Sequence, residues 1–190
     1  MINKTFYSRD ENERFILKSL NQRISVCENH KIQEKKSLIT LGKKVPNFPI
    51  SSIFGDCYIY DFQPYPLLIF FYPKDNTPGC TSESLEFTKL HNEFLKLGVQ
   101  VVGVSRDSIK SHLKFYKKYN LSINLISDET EQLCSFFEVI KEKNLYGKKF
   151  LGIERSSFLV DSAGLLKKSW RGIRAQGHAS NVFEEIKLTL

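Results

Sequence analysis

Residues 66–80 read PLLIFFYPKDNTPGC, and this stretch decides the fold class. The apolar run at 66–72, bounded by prolines, is typical of a β-strand that is buried on both faces of a sheet. A helical pattern at about 81–97 follows directly after Cys80. The thiol is therefore predicted to lie where the carboxyl end of a buried strand meets a helix N-terminus. Open α/β sheets bind their ligands at that edge.

The rest of the chain continues this alternation of strands and helices. Strands are predicted at 99–105, 123–128, 156–161 and 165–170, and helices at about 107–119, 129–137 and 179–188. The last two strands are joined by the turn Ala163-Gly164 and form a hairpin, so the sheet is mixed. Alternating strands and helices predict an α/β domain over 41–190, with a central mixed β-sheet flanked by helices.

Residues 1–40 are interpreted as a separate N-terminal extension. Ser8 and Glu11 have the spacing of a capping box, which favours a helix start. Apolar residues then follow at helical spacing: Ile16, Leu20, Ile24 and Cys27. We expect an amphipathic helix over about 9–28 whose apolar stripe packs on the main domain. Alternatively, that stripe contacts a partner or a second subunit.

Composition and charge restrict the class of protein. The net charge is +7, but the lysines occur only as scattered pairs, which is typical of solvated surfaces, so nucleic acid is not an expected partner. The N-terminus lacks the apolar segment of a secretory signal, and no apolar run is long enough to span a membrane. The four cysteines form no C-x-x-C pair and no metal-ligand spacing. We expect a reducing compartment, the cytoplasm first, with an organelle or the nucleus as alternatives.

The surroundings of Cys80 favour a reactive thiolate. A helix N-terminus carries partial positive charge and free amides, and both stabilise a thiolate. The hydroxyl of Thr77, three residues earlier, can donate to the sulfur or to a bound oxygen, while Pro73 and Pro78 stiffen the loop. Arg155, at the start of a predicted strand, is the candidate for a cation that holds the thiolate ionised. The alternative is an inert buried thiol, the usual state of a lone cysteine.

The histidines are expected to have structural roles only. His30 and His112 are interpreted as surface residues, and His178 as the cap of the last helix.

The pattern Pro73-x-x-x-Thr77-x-x-Cys80 resembles the active-site motif of the peroxiredoxins. The stretch FFYPKDNTPGCTSES is similar to the Q-type branch, also called bacterioferritin comigratory protein. Further similar stretches lie at 101–121, 125–139, 146–161 and 177–179. Several motifs agree in order, and the resemblance extends over about 42–190.

The resemblance implies a thioredoxin-like fold and an enzyme that reduces hydrogen peroxide or organic hydroperoxides. It implies no metal, haem or flavin. Cys80 is then the peroxidatic cysteine, Thr77 and Pro73 are its companions, and Arg155 is the second-half arginine of the family. Glu83 matches a position that supports the active-site network, although an acidic residue in a helix first turn needs no such role. The implied partners are a peroxide and a thioredoxin, glutaredoxin or small-thiol reductant, and the family favours a monomer over a dimer.

The chain departs from the family at the resolving cysteine. Many Q-type members carry it five residues after the peroxidatic one, where this chain has Leu85, and others carry it in the next helix, where 107–119 has no cysteine. Three alternatives follow. The enzyme uses one cysteine and an external thiol reduces its sulfenic acid; or Cys134 resolves it, although that residue lies among core-facing positions; or Cys27 or Cys57 does so.

A second hypothesis is a peroxide sensor or interaction protein that uses the same cysteine. In that case oxidation passes to a partner, and the protein turns over poorly.

Overall fold

The computed structural model describes residues 39–145 and 147–189, so the predicted helix over 9–28 lies outside the described residues. The strands are β1 Pro49–Ser52, β2 Gly55–Tyr58, β3 Leu67–Phe71, β4 Gln100–Ser105, β5 Asn124–Ser127, β6 Ile140–Leu145, β7 Lys148–Ile153, β8 Ser156–Val160 and β9 Leu166–Trp170. The helices are α1 Pro78–Lys96, α2 Ile109–Tyr119, α3 Gln132–Phe136 and α4 His178–Lys187, and a short 3-10 turn spans Ile59–Phe62.

Seven of these strands form one sheet in the order β2-β1-β5-β4-β3-β8-β9. Strand β4 pairs in parallel with β3 and with β5, and the remaining pairs are antiparallel. The predicted α/β fold with a mixed sheet is therefore confirmed. The sequence did not predict the hairpin β1–β2, or the separate two-stranded hairpin β6–β7.

Strand β3 divides the core between the two faces of the sheet. All five of its residues are buried, as expected for a strand covered on both sides. Leu67, Ile69 and Phe71 point to a cluster that includes residues of α3, and Leu68 and Phe70 point to the other. The second cluster contains the apolar faces of the three longer helices: Phe87 and Phe94 of α1, Phe115 of α2, and Ala179, Val182 and Ile186 of α4. Of the helices in the described part of the chain, none has the length and apolar character to cross a membrane.

The parallel strands bring three loops to one edge of the sheet. β3, β4 and β5 run in the same direction, so the segments that follow them emerge together. The loop after β3 leads into α1, and the backbone N–H of Asp75 in this loop donates to Oδ2 of Asp107 after β4, at 2.9 Å. This bond ties the entry to α1 to the neighbouring strand.

Candidate active site

Cys80 lies at the predicted junction of a buried strand and a helix, but the helix begins at Pro78 and not after Cys80, so the cysteine is in its first turn. Thr77 is the N-cap and Pro78 occupies the first helical position, where its missing N–H costs no helical hydrogen bond. Cys80 is the third residue of the helix, and it is only 1% exposed. Its sulfur is thus held close to the positive end of a five-turn helix, in a setting nearly closed to water.

Arg155 supplies a cation beside this sulfur. The residue follows β7 and precedes β8, and its backbone carbonyl accepts the N–H of Ile173 at 3.0 Å. Its Nη2 lies 3.4 Å from Sγ of Cys80, and its side chain is 13% exposed. A mostly buried guanidinium at this distance stabilises negative charge on the sulfur, or on an oxygen held beside it, more strongly than it could in water.

Glu83 holds the other side of the same guanidinium. It lies one helical turn after Cys80, on the same face of α1. Its carboxylate is fully buried and forms an ion pair with Nη1 of Arg155. A buried carboxylate is tolerated when it is paired in this way. The arginine therefore bridges the sulfur and the carboxylate with two different nitrogens.

His178 extends this network, so its interpretation as the cap of the last helix is wrong. The N-cap of α4 is Gly177, with φ of 76°, and the His178 ring is fully buried instead of capping the helix. Its Nδ1 donates to Oε1 of Glu83, and its Nε2 lies 2.9 Å from Oγ of Ser157. Burial, and secondly the charge of Arg155, lower the pKa of His178 to about 4.

A sequence signal for this buried position did exist. His178, Val182 and Ile186 are spaced by four residues, so they lie on one face of α4, and the latter two are core residues. The histidine therefore continues the apolar stripe of the helix toward the sheet.

Thr77 and Pro73 frame the loop before the cysteine. Both residues are partly buried. The hydroxyl of Thr77 donates to the carbonyl oxygen of Lys74 at 3.0 Å, which closes the turn at the helix cap. The two partners considered from the sequence were the sulfur of Cys80 and a bound peroxide oxygen. In this conformation Thr77 contributes loop geometry, and its hydroxyl is committed to the backbone.

A second buried polar cluster ties the same loop to α2. The carboxylate of Asp75 accepts hydrogen bonds from Tyr72 Oη at 2.8 Å, from Ser111 Oγ at 2.8 Å and from His112 Nδ1 at 3.0 Å. His112 is fully buried, so its interpretation as a surface residue is wrong. Burial by itself would raise the pKa of Asp75, but its hydrogen bonds and the charge of His112 lower it overall.

The other candidate cysteines lie in different settings. Cys134 is fully buried in α3, and burial together with Asp128 raises the pKa of its thiol. Cys57 is half-buried on β2, and burial, Asp61 and Asp56 raise the pKa of its thiol. Four strand steps separate β2 from β3 in the sheet, roughly 19 Å. Cys27 lies outside the described residues. Within them the three cysteines are free thiols, and no group of three or more His, Cys, Asp or Glu could hold a metal ion.

Known proteins are similar to this chain over most of its length. The model of the AhpC/TSA family matches residues 41–169. Peroxiredoxin Bcp of Xanthomonas campestris is 52% identical over 121 residues, which are 64% of this chain and 76% of that protein.

Solved structures are similar over most of the described chain. A structure of X. campestris bacterioferritin comigratory protein, described for its alkyl peroxide reduction activity, has a TM-score of 0.71 at 45% identity and covers 75% of this chain and 91% of that one. A crystal structure of Xylella fastidiosa PrxQ has a TM-score of 0.77 at 37% identity and covers 80% of this chain and 98% of that one.

These similarities confirm the thioredoxin-like fold and the resemblance to Q-type peroxiredoxins. The chain belongs to the AhpC/TSA family, in its Bcp and PrxQ branch, and is a peroxiredoxin, an enzyme that reduces peroxides with electrons from thiols.

Proposed function

We propose that the protein reduces hydrogen peroxide and organic hydroperoxides through a sulfenic acid formed on Cys80. The thiolate attacks the terminal oxygen of the peroxide and the O–O bond breaks. The sulfur becomes S–OH, while the leaving alkoxide or hydroxide takes up a proton as alcohol or water. The observation that carries this proposal is the 3.4 Å separation between Nη2 of Arg155 and Sγ of Cys80 at the N-terminus of α1.

The neighbouring residues have distinct tasks in this step. Arg155 stabilises the thiolate before attack and the departing oxygen during it. Glu83 keeps the guanidinium in place, because it binds the nitrogen that does not face the sulfur. Pro73 and Thr77 define the loop that admits the peroxide. Low exposure of Cys80 limits further oxidation of the sulfenic acid.

We further propose that an external thiol completes the cycle. Peroxiredoxins use thiol reductants such as thioredoxin. In the one-cysteine route, a reductant thiolate attacks the sulfenic sulfur, hydroxide leaves as water, and a second thiol releases Cys80 from the mixed disulfide. Two features support this route. Cys134 is buried in the core, and Cys57 lies on β2, four strand steps from β3, the strand that precedes the Cys80 loop. Cys27 remains the alternative resolving residue.

Peroxide consumption with dithiothreitol, thioredoxin or glutaredoxin as reductant tests the proposal. Cys80→Ser should abolish turnover, while the matched variants Cys57→Ser and Cys134→Ser should keep it. Full activity in Cys80→Ser would refute the assignment. Peptide mapping after one equivalent of peroxide then separates the cycles: trapped sulfenic acid at Cys80 supports the one-cysteine route, and a disulfide to Cys27, Cys57 or Cys134 identifies a resolving residue.

The second candidate, a peroxide sensor, rests on the 1% exposure of Cys80, since a buried sulfenic acid is slow to meet a reductant. Turnover distinguishes the two functions. An enzyme consumes many equivalents of peroxide per chain, whereas a sensor is oxidised about once and then transfers its oxidation to a partner thiol.

A further inference from the structure

We propose that His178 is a positioning residue for the reaction at Cys80. It orients Glu83, which in turn orients Arg155. This inference rests on the proposed function, because it concerns how the guanidinium is kept beside the reacting sulfur. The hydrogen bonds of the His178 ring go to Glu83 and Ser157, so we place its effect on Cys80 in the orientation of Glu83.

The carboxylate of Glu83 divides its two oxygens between two partners. Oε2 binds Nη1 of Arg155, and Oε1 accepts the proton of Nδ1 of His178. The residue is 0% exposed, so water cannot replace either partner. If His178 is removed, one oxygen of a buried anion loses its donor. The carboxylate must then turn toward the arginine or take up a proton, and both changes alter the position of the guanidinium.

The His178 ring is itself fixed in direction. Its Nε2 accepts from the hydroxyl of Ser157 at 2.9 Å, and Ser157 lies opposite Phe70 in the pairing of β8 with β3. The ring of Phe87 packs against it edge to face, with centroids 5.4 Å apart. Through His178 and Ser157, the position of Glu83 is therefore fixed by the central sheet as well as by its own helix.

The proton arrangement of the ring suits this role. Nδ1 faces a carboxylate and must carry a proton, while Nε2 faces a hydroxyl that can donate to it. A neutral imidazole satisfies both contacts, and Arg155 is then the cation that pairs with the negative charge of Glu83. An imidazolium would compete with the arginine for that charge.

Three variants test the proposal: His178→Asn, which keeps a donor near the Nδ1 position; His178→Leu, which keeps volume but no donor; and Ser157→Ala, which removes only the Nε2 partner. Two quantities are measured, the second-order rate constant of Cys80 with peroxide and the ratio of its alkylation rates by iodoacetate and iodoacetamide. The ratio reports positive charge at the sulfur, because only iodoacetate is anionic. Circular dichroism and thermal melts identify the folded variants.

His178→Leu should lower the peroxide rate constant about 10- to 100-fold, the size expected when a reacting group is misplaced by about an ångström. It should also lower the iodoacetate to iodoacetamide ratio. His178→Asn should stay within about threefold of the parent in both quantities, and Ser157→Ala should fall between the two.

A parent-like rate and ratio in His178→Leu would overturn the proposal. Equal acceleration of both alkylating agents would also overturn it, because that pattern shows a loosened structure without displacement of charge. If His178→Leu does not fold, the Ser157→Ala variant is the test. An unchanged iodoacetate to iodoacetamide ratio in that variant refutes the proposal. Failure of the proposed function appears separately, as peroxidase activity retained by Cys80→Ser.

Discussion

Nδ1 of His112 lies 3.0 Å from Oδ2 of Asp75, and the two side chains are 0% and 2% exposed. Nε2 of the same ring lies 3.2 Å from the carbonyl oxygen of Ile126. Both ring nitrogens therefore face acceptors, Nδ1 the carboxylate of Asp75 and Nε2 a backbone carbonyl. The pair joins α2 to the loop that precedes Cys80.

Asp75→Asn is expected to destabilise the protein by about 3–5 kcal/mol, because it removes one partner of the buried Asp75–His112 pair. Urea unfolding monitored by circular dichroism measures this change. Glu142→Gln is the matched control. It breaks the exposed pair of Glu142 with Lys149, whose side chains are 61% and 71% exposed, and should change the unfolding free energy by less than about 1 kcal/mol. Equal effects of the two substitutions would contradict the ion-pair assignment.

Arg155→Met is expected to lower the rate constant of Cys80 with peroxide about 100- to 1000-fold, the usual loss when one donor to a developing oxyanion is removed. Arg155→Lys should recover little of this activity. A single ammonium cannot serve both Glu83 and Cys80, which the guanidinium reaches with two nitrogens. Stopped-flow oxidation under single-turnover conditions measures the rate constant. A lysine variant with parent activity would show that charge alone is sufficient.

The sequence predicted those parts of the site that depend on local order. The buried run of β3, the helix start and Cys80 follow one another directly along the chain. Arg155 was predicted because a thiolate needs a nearby cation, and its guanidinium does lie beside the sulfur. The Asp75–His112 pair joins residues 37 positions apart, and only the packing of α2 on the loop brings them together. The spacing of His112 with Phe115 puts it on the inward face of α2, but nothing local identifies Asp75 as its partner.

Other features were missed for different reasons. The strands β1 and β2 have four residues each, and most of β2 is exposed, so their apolar pattern is weak. The hydroxyl of Thr77 bonds to the carbonyl oxygen of Lys74, a local partner that residue spacing alone does not identify. His178 was missed because a histidine next to glycine at a helix start was interpreted as a cap, although its spacing with Val182 and Ile186 pointed inward.

Gly103→Ala is expected to destabilise the protein by about 1–3 kcal/mol, because it overfills the core between β3 and β5. A Cβ at this position would lie 2.7 Å from Cζ of Phe70 and 3.0 Å from Cδ2 of Leu125. Thermal or urea unfolding measures the loss. Gly79→Ala is the control, because its nearest atom would be Cβ of Ala175 at 3.5 Å, an ordinary contact, and alanine favours the helix. A loss in Gly103→Ala no larger than in the control would contradict this packing.

The contribution of His178 to the stability of the protein is expected to fall as the pH is lowered from 7 to 5. Burial, and secondly Arg155, lower its pKa in the folded state from 6.5 to about 4, so between these values the unfolded chain binds more protons than the folded one. The contribution of His178 to the free energy of unfolding therefore decreases by about 1–2 kcal/mol as the pH falls through this window. The His178→Asn variant has no titrating ring at this position, so its unfolding free energy should lack this decrease between pH 7 and pH 5.

Urea unfolding of both proteins at the two pH values makes the comparison. Asp75 contributes only at still lower pH, because its pKa is lowered below 3.8. Identical pH dependence in the two proteins would show that the buried ring is not held neutral, and that Glu83 shares its charge with an imidazolium.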